Sequence, residues 1–380
     1  MRGMNEQTSS QSPRYLSDDD VKKRIQTASL AEVTAAELVS LFMQETAVQQ
    51  HLPDGRCQQD PRDGAIILYN EVRNRRPHDN KPDAPETAVA KPCPICAGNT
   101  TKIVDAAPLS QGFTFINKNM YPVVYPVTER DDGFVGLHFL QWTSSHHDAD
   151  WHNMPQADRA TVLARLAALE QTLLLADAPP LPTAEAWPGG WRSGGRPVHG
   201  YLGIFKNYGY LVGGSLMHGH QQMMYSPTLP PAFAADWAFY QAHGKSVAAY
   251  LRDENPEALL LRDYGEMVLC VPYFMKRPYQ MLLFPKQDRT LLSELTAAEL
   301  AMMADGWHDA IRAIRTLLPS MGREIAYNVV VHNGPGAGLY VEFLPYSQET
   351  GGMEHLGWWI CQQWPETAVA DLRRVLDNQA

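Results

Sequence analysis

The sequence predicts an α+β protein with an antiparallel sheet, built twice from one unit. Two observations carry this. Each half sets a long helical pattern between pairs of short strand-like runs, and the order strand–strand–helix–strand–strand occurs twice. In the first half the strand-like runs are 65–69, 113–116 and 135–142, the helix is 156–176, and further strands follow at 201–205 and 217–225. The intervening stretch 178–197, rich in Pro, Gly and Trp, reads as a loop, and a helix over 232–252 closes the half. The second half offers strands at 267–272 and 279–284, a helix at 295–318, strands at 325–331 and 340–344, and a closing helix at 366–376.

Ahead of both halves, residues 1–15 are polar and expected to be disordered. Ser17 then caps an acidic turn before Val21, and Val33, Leu38, Leu41 and Phe42 recur at helical spacing within 30–47. The expected organisation is a helical extension over 1–55, a first unit over 56–255 and a second over 256–380.

Composition narrows the function classes. With 380 residues, 44% hydrophobic and 19% charged, the chain reads as a soluble globular protein with room for a large core. A formal net charge of −10 argues against a nucleic-acid partner held by general electrostatics. No apolar run approaches the ~18 residues of a membrane span, and the N-terminus lacks the apolar centre of a signal peptide. The expectation is a cytoplasmic protein without a membrane partner. Five cysteines, an odd number, argue against a disulfide framework; Cys57, Cys270 and Cys361 are scattered and read as plain thiols.

Three segments carry chemistry. In His218-Gly219-His220-Gln221-Gln222, residues i and i+2 of an extended chain would put both imidazoles on one face. Such a pair binds a metal, divides between metal and substrate, or is simply two histidines on a solvated strand. Upstream, 205–215 is rich in glycine, which lets a backbone approach an anion and hold phosphate oxygens with its N–H groups. Cys93-Pro94-Ile95-Cys96 runs into the turn Ala97-Gly98-Asn99 rather than opening a helix, which favours half of a metal site over a redox pair. Zinc would need two more ligands, and 144–147 and the histidine pair are the sources. Arg73-Asn74-Arg75-Arg76-Pro77 is either a solvated charge run or a guanidinium clamp on a nucleotide diphosphate.

These pieces, in this order, resemble the galactose-1-phosphate uridylyltransferase family, the nucleotidyltransferase branch of the histidine-triad superfamily. The resemblance runs from about Asp60 to Leu376 and is strongest from Asn207 through Gln222. It implies tandem histidine-triad (HIT-like) units and a nucleotidyltransferase acting on a nucleotide sugar and a sugar phosphate or phosphate. It implies that His220 is the nucleophile, that Gln222 bonds the transferring phosphoryl group, and that Asn207, Gly213 and Ser215 line the phosphates. Arg73, Arg76 and Asn119 match nucleotide-site positions, and Glu354 resembles a residue that contacts the hexose. Zinc ligands transfer as Cys93, Cys96, His147 and His218, with His146 as the alternative to His147. Family members commonly pair as homodimers.

The second half departs from the pattern. Where relatives often carry His-x-His before Glu-Phe-Leu-Pro, this chain has Gly338-Leu339-Tyr340-Val341-Glu342. His332 and Asp236 remain from a second metal site, which is therefore expected to be absent. The leading expectation is transfer of a nucleoside monophosphate, UMP first, from a nucleotide sugar to a sugar 1-phosphate. An NDP-sugar or dinucleoside-polyphosphate phosphorylase or hydrolase using the same histidine is the alternative, and a noncatalytic nucleotide sensor is the third.

Overall fold

The computed structural model describes residues 14–27, 29–79, 93–130 and 133–378, so most of the tail expected to be disordered lies outside the described residues. Helix α1 (Asp18–Arg24) starts where Ser17 accepts the Asp20 N–H. The pattern at 30–47 divides into a 3₁₀ turn, α2 (Ala35–Met43) and α3 (Thr46–Gln49); a Thr34–Glu37 capping box restarts the chain at α2. A small hairpin, β1 (Cys57–Gln59) and β2 (Ile66–Leu68), follows.

The first unit contributes β3 (Ile103–Pro108), β4 (Phe113–Lys118), β5 (Leu137–Trp142), helix α4 (Gln156–Leu174), the two-residue pair β6 (Arg192–Ser193) and β7 (Arg196–Pro197), then β8 (Tyr201–Tyr208) and β9 (His220–Ser226). Helices α5 (Pro231–His243) and α6 (Val247–Glu254) lead into β10 (Leu260–Asp263), β11 (Met267–Cys270), β12 (Met281–Pro285), α7 (Ala297–Ser320), β13 (Tyr327–His332), β14 (Tyr340–Pro345), α8 (Gly352–His355) and α9 (Pro365–Asp377). One helix expected over 232–252 is thus two. Gly244, at φ 67°, ends α5 in a left-handed cap and Ser246 caps α6.

Ten strands form one antiparallel sheet in the order β10-β11-β12-β14-β13-β8-β9-β5-β4-β3. The order is the same in each half when read outward from the central β13–β8 pair: β13-β14-β12-β11-β10 on one side, β8-β9-β5-β4-β3 on the other. The repeat is therefore three strands, a helix and two strands. Strands β3 and β10 lie outside the runs read from sequence. α4 and α7 pack on each other, with Arg159 paired with Asp305 at 2.7 Å, and Trp151 in the turn before α4 stacks on Trp307 of α7 at 4.6 Å. Among the described residues no helix is long and apolar enough to cross a membrane.

Candidate active site and metal centre

Strand β9 presents its side chains alternately. Met223 and Tyr225 enter the main core, while His220 and Gln222 line a cavity of about 630 Å³. From β5, two residues apart, Leu140 and Trp142 share that cavity, and Asn117, Lys118 and Asn119 add polar groups from the end of β4. Arg73, Arg75, Arg76 and Ser215 complete its rim.

His220 is buried, and its Nδ1 lies 2.8 Å from the His218 carbonyl oxygen. A carbonyl only accepts, so Nδ1 carries the proton and Nε2 keeps a free lone pair. Burial and the nearby Lys206 ammonium push the imidazole down to about 4, so it is neutral near pH 7. Gln222 is oriented from behind: Nε2 of His138 reaches its Oε1 at 3.2 Å, and Nδ1 of His138 accepts the Val123 N–H at 3.1 Å. Burial holds His138 down at about 3, so it too is neutral. Sequence reasoning missed His138. The available signal was its place two residues before Leu140 and four before Trp142, on the cavity face of β5.

The arginines converge as a pair. Arg73 Nη1 donates to the Tyr121 carbonyl at 2.6 Å, and Arg76 Nη2 donates to the Gly213 carbonyl at 3.3 Å. Burial lowers Arg73 to about 10, still charged at neutral pH. Asn119 is buried at the rim and accepts the Tyr121 N–H at 2.9 Å. Asn207 faces the second half instead, accepting from Asn328 at 2.8 Å. The glycine loop departs from expectation. The N–H groups of Val212, Gly213 and Gly214 bond to carbonyls of Gly209 and Tyr210 inside the turn, so they are not offered to an anion. What the loop gives the cavity is Ser215 and the carbonyl that steers Arg76. Glu354 is partly buried, bonded to the backbone N–H groups of Gly351 and Ile360, and is not among the cavity's lining residues.

Next to the cavity, Cys93, Cys96, His147 and His218 bring one ligand atom each to within 4.8 Å of one another. Three of their S···N edges, Cys93 Sγ to His218 Nδ1 at 3.6 Å and Cys96 Sγ to His147 Nδ1 and His218 Nδ1 at 3.7 Å, match the S···N edge of about 3.5 Å expected of a tetrahedral zinc site. His218 points its other nitrogen at the Ser144 carbonyl, 2.8 Å away, which leaves Nδ1 for the metal. A hydrogen bond from Cys96 and the two histidines draw the Cys93 thiol strongly down, while the same contact and burial push the Cys96 thiol up, so the pair shares one proton between two sulfurs. His146 lies outside this cluster and stacks on Tyr15 at 5.4 Å. Strand β9 begins at His220, so the pair does not share a strand face as expected; His218 goes to the sulfurs and His220 to the cavity, with Trp142 against both.

In the second half, His332 pairs with Glu342 at 3.0 Å and stacks on Tyr340 at 4.2 Å, and Gln280 bonds the same carboxylate.

Fold and site together define a duplicated α+β protein with a neutral, buried histidine set between a Cys/His metal-ligand set and an arginine-lined cavity. The chain is a distant relative of the galactose-1-phosphate uridylyltransferases. The enzyme of that name from Neurospora crassa is 22% identical over 323 residues, covering 73% of this chain and 80% of its own length. An ADP-glucose phosphorylase of Arabidopsis thaliana is 20% identical over 369 residues, covering 87% of this chain and 95% of its own. A solved uridylyltransferase superposes with a TM-score of 0.63 at 22% identity, over 85% of this chain and 99% of that one. The Arabidopsis thaliana ADP-glucose phosphorylase with bound ADP-glucose gives 0.61 at 16%, over 84% and 98%. These structures share the fold. No family model matches the chain.

Proposed function

We propose that the chain is a nucleotidyltransferase that moves a nucleoside monophosphate, UMP in the leading reading, from a nucleotide sugar to a sugar 1-phosphate through a nucleotidyl-histidine. The observation that carries this is the His220 tautomer: Nδ1–H is tied to the His218 carbonyl, and the other nitrogen is a neutral nucleophile in a cavity rimmed by arginines. Nε2 forms a bond to the α-phosphorus and the P–O bond to the sugar 1-phosphate breaks, that oxygen leaving with the electron pair. The acceptor's phosphate oxygen then attacks phosphorus and the P–N pair returns to Nε2. Gln222, its carbonyl fixed by His138, turns its amide N–H groups to the transferring phosphoryl oxygens. Arg73 and Arg76 hold the diphosphate, with Asn119 at the nucleoside side and Ser215 on the phosphates. Asn207 and Gly213 support the loop, and Glu354 reaches the sugar only if its segment moves or a second copy supplies it.

Cys93, Cys96, His147 and His218 fit zinc, which when bound compensates the sulfur charge and clamps the segment preceding β9. In this reading the chain works as a homodimer in the cytoplasm; Leu356, Trp358 and Trp364, 72%, 65% and 77% exposed, offer an apolar face for pairing.

A second reading, phosphorolysis of an NDP-sugar such as ADP-glucose, is favoured by the similarity that spans nearly the full length of the ADP-glucose phosphorylase. Acceptor competition separates the two. Charged with UDP-sugars or ADP-glucose, the enzyme is offered a sugar 1-phosphate or inorganic phosphate, and the products are resolved by chromatography. Nucleotide-sugar product identifies the transferase, and nucleoside diphosphate the phosphorylase. Binding without turnover on any pair leaves the sensor.

A further inference from the structure

Strand β8 parts from β9 just before the candidate nucleophile. Their ladder ends at the pair Phe205 and Gln222, while β8 continues to Tyr208 against β13. On the other side β9 remains paired with β5, where Thr143 N–H donates to the Gly219 carbonyl at 2.9 Å. Carbonyls alternate along a strand, so that of His220 points toward β8, where no ladder partner remains. A side chain takes the place of the strand: Lys206 Nζ lies 3.2 Å from the His220 carbonyl oxygen.

Lys206 is held in turn by Asp150, with Nζ 3.1 Å from Oδ1 and 2.9 Å from Oδ2. The two side chains are 1% and 5% exposed. Asp150 also packs on Gly219; a Cβ there would lie 2.6–2.7 Å from its carboxyl group and 2.9 Å from its Cβ. Thus one ion pair contacts both Gly219 and His220, and only glycine fits between the two histidines. Around the pair, Tyr208 stacks on Tyr327 at 5.1 Å, and Arg315 of α7 lies 4.9 Å over the Tyr208 ring.

A buried ion pair is a poor choice for stability alone, because apolar residues of similar volume usually serve as well or better. Its placement behind the nucleophile gives another reason for it. We propose that Lys206, anchored by Asp150, is a positioning residue for His220: it supplies the missing ladder bond and fixes the start of β9, from which the imidazole projects. The proposal rests on the reading of His220 as the nucleophile. Lys206 touches no substrate; it acts through the backbone.

The test uses the zinc-loaded full chain and two variants, Lys206→Met and the double Lys206→Met/Asp150→Asn. The single variant strands a buried carboxylate, so the charge-free double variant is the decisive one. Single-turnover labelling of His220 by the donor that labels the wild type is expected to slow by about 10- to 100-fold, the scale of a small misplacement of reacting atoms. Affinity for UDP and ADP is expected to stay within about twofold, on the same argument that binding groups are untouched. A folded double variant that labels at the wild-type rate overturns the proposal. If the wild type itself forms no adduct, the nucleophile reading fails separately. The crystal structure of the double variant then decides positioning: an imidazole still bonded to the His218 carbonyl overturns it, and a rotated one sustains it.

Discussion

His220 Nδ1 and the His218 carbonyl oxygen are 2.8 Å apart, while the His218 imidazole turns away to within 3.7 Å of two sulfurs. One residue thus joins the metal-ligand set to the histidine of the cavity. A metal held by that set would therefore fix the residue whose carbonyl aims His220.

Metal content is expected to be about one zinc per chain. Chelation, or Cys96→Ser, should lower the melting temperature by roughly 10 °C or more, since metal binding energy is folding energy. Nucleotidylation should fall with it. Elemental analysis beside a thermal melt checks this; a metal-free protein with unchanged melting and activity contradicts it.

Gln222→Leu removes the amide that the proposed chemistry turns to the phosphoryl oxygens and should slow the first half-reaction by about 10²- to 10³-fold, the usual loss for a donor to developing charge. His138→Phe leaves Gln222 in place without its 3.2 Å anchor and should cost less. Single-turnover rates order the two, and an inverse ranking would refute the assignment of His138 as the orienting group.

Arg73→Ala and Arg76→Ala should each weaken nucleoside-diphosphate binding by about 1.5–3 kcal/mol, the range for hydrogen bonds to charged groups. Titration calorimetry with UDP and ADP reads this directly. Affinity unchanged in both variants would return the cluster to a solvated charge run.

Glu170 supplies a pH test of the fold. It is buried on α4, where its carboxylate accepts from Ser293 N–H at 2.8 Å and Oγ at 3.0 Å, so it ties α4 to the turn before α7. Burial pushes its carboxyl up to about 7 from an ordinary value of 4.5. Between those values the native state keeps a proton that the unfolded chain releases. The stability from this group is therefore present below about pH 4.5 and lost as pH rises through 7, about 3 kcal/mol in all. Glu170→Gln should abolish that loss. Urea unfolding at pH 5 and pH 8 measures it as a difference between wild type and variant, and parallel pH dependence in the two would contradict it.

The long helices and the central strands were legible because their apolar periods are unbroken, as in α7, and the duplication was legible from element order. Strand β3 was hidden by Asp105, a buried carboxylate that interrupts the apolar run and is neutralised by Arg165 at 2.6 Å. The break between α5 and α6 was written in Gly244 and Ser246 but masked by helical residues on both sides. At the site, the cysteines, arginines and histidine pair stand out by residue type. His138 and Lys206 do not, since their roles depend on strand register and on where β8 leaves β9, which no local pattern records. Glycine loop chemistry misled for a related reason: the turn consumes its own N–H groups.

The most direct measurement is intact-protein mass spectrometry of the zinc-loaded chain after exposure to UDP-sugars and ADP-glucose, followed by peptide mapping. The account predicts one nucleoside monophosphate added per chain, mapped to His220, discharged by a sugar 1-phosphate or phosphate, and absent from His220→Ala. An adduct that persists in His220→Ala, or turnover in that variant at the wild-type rate, would contradict it.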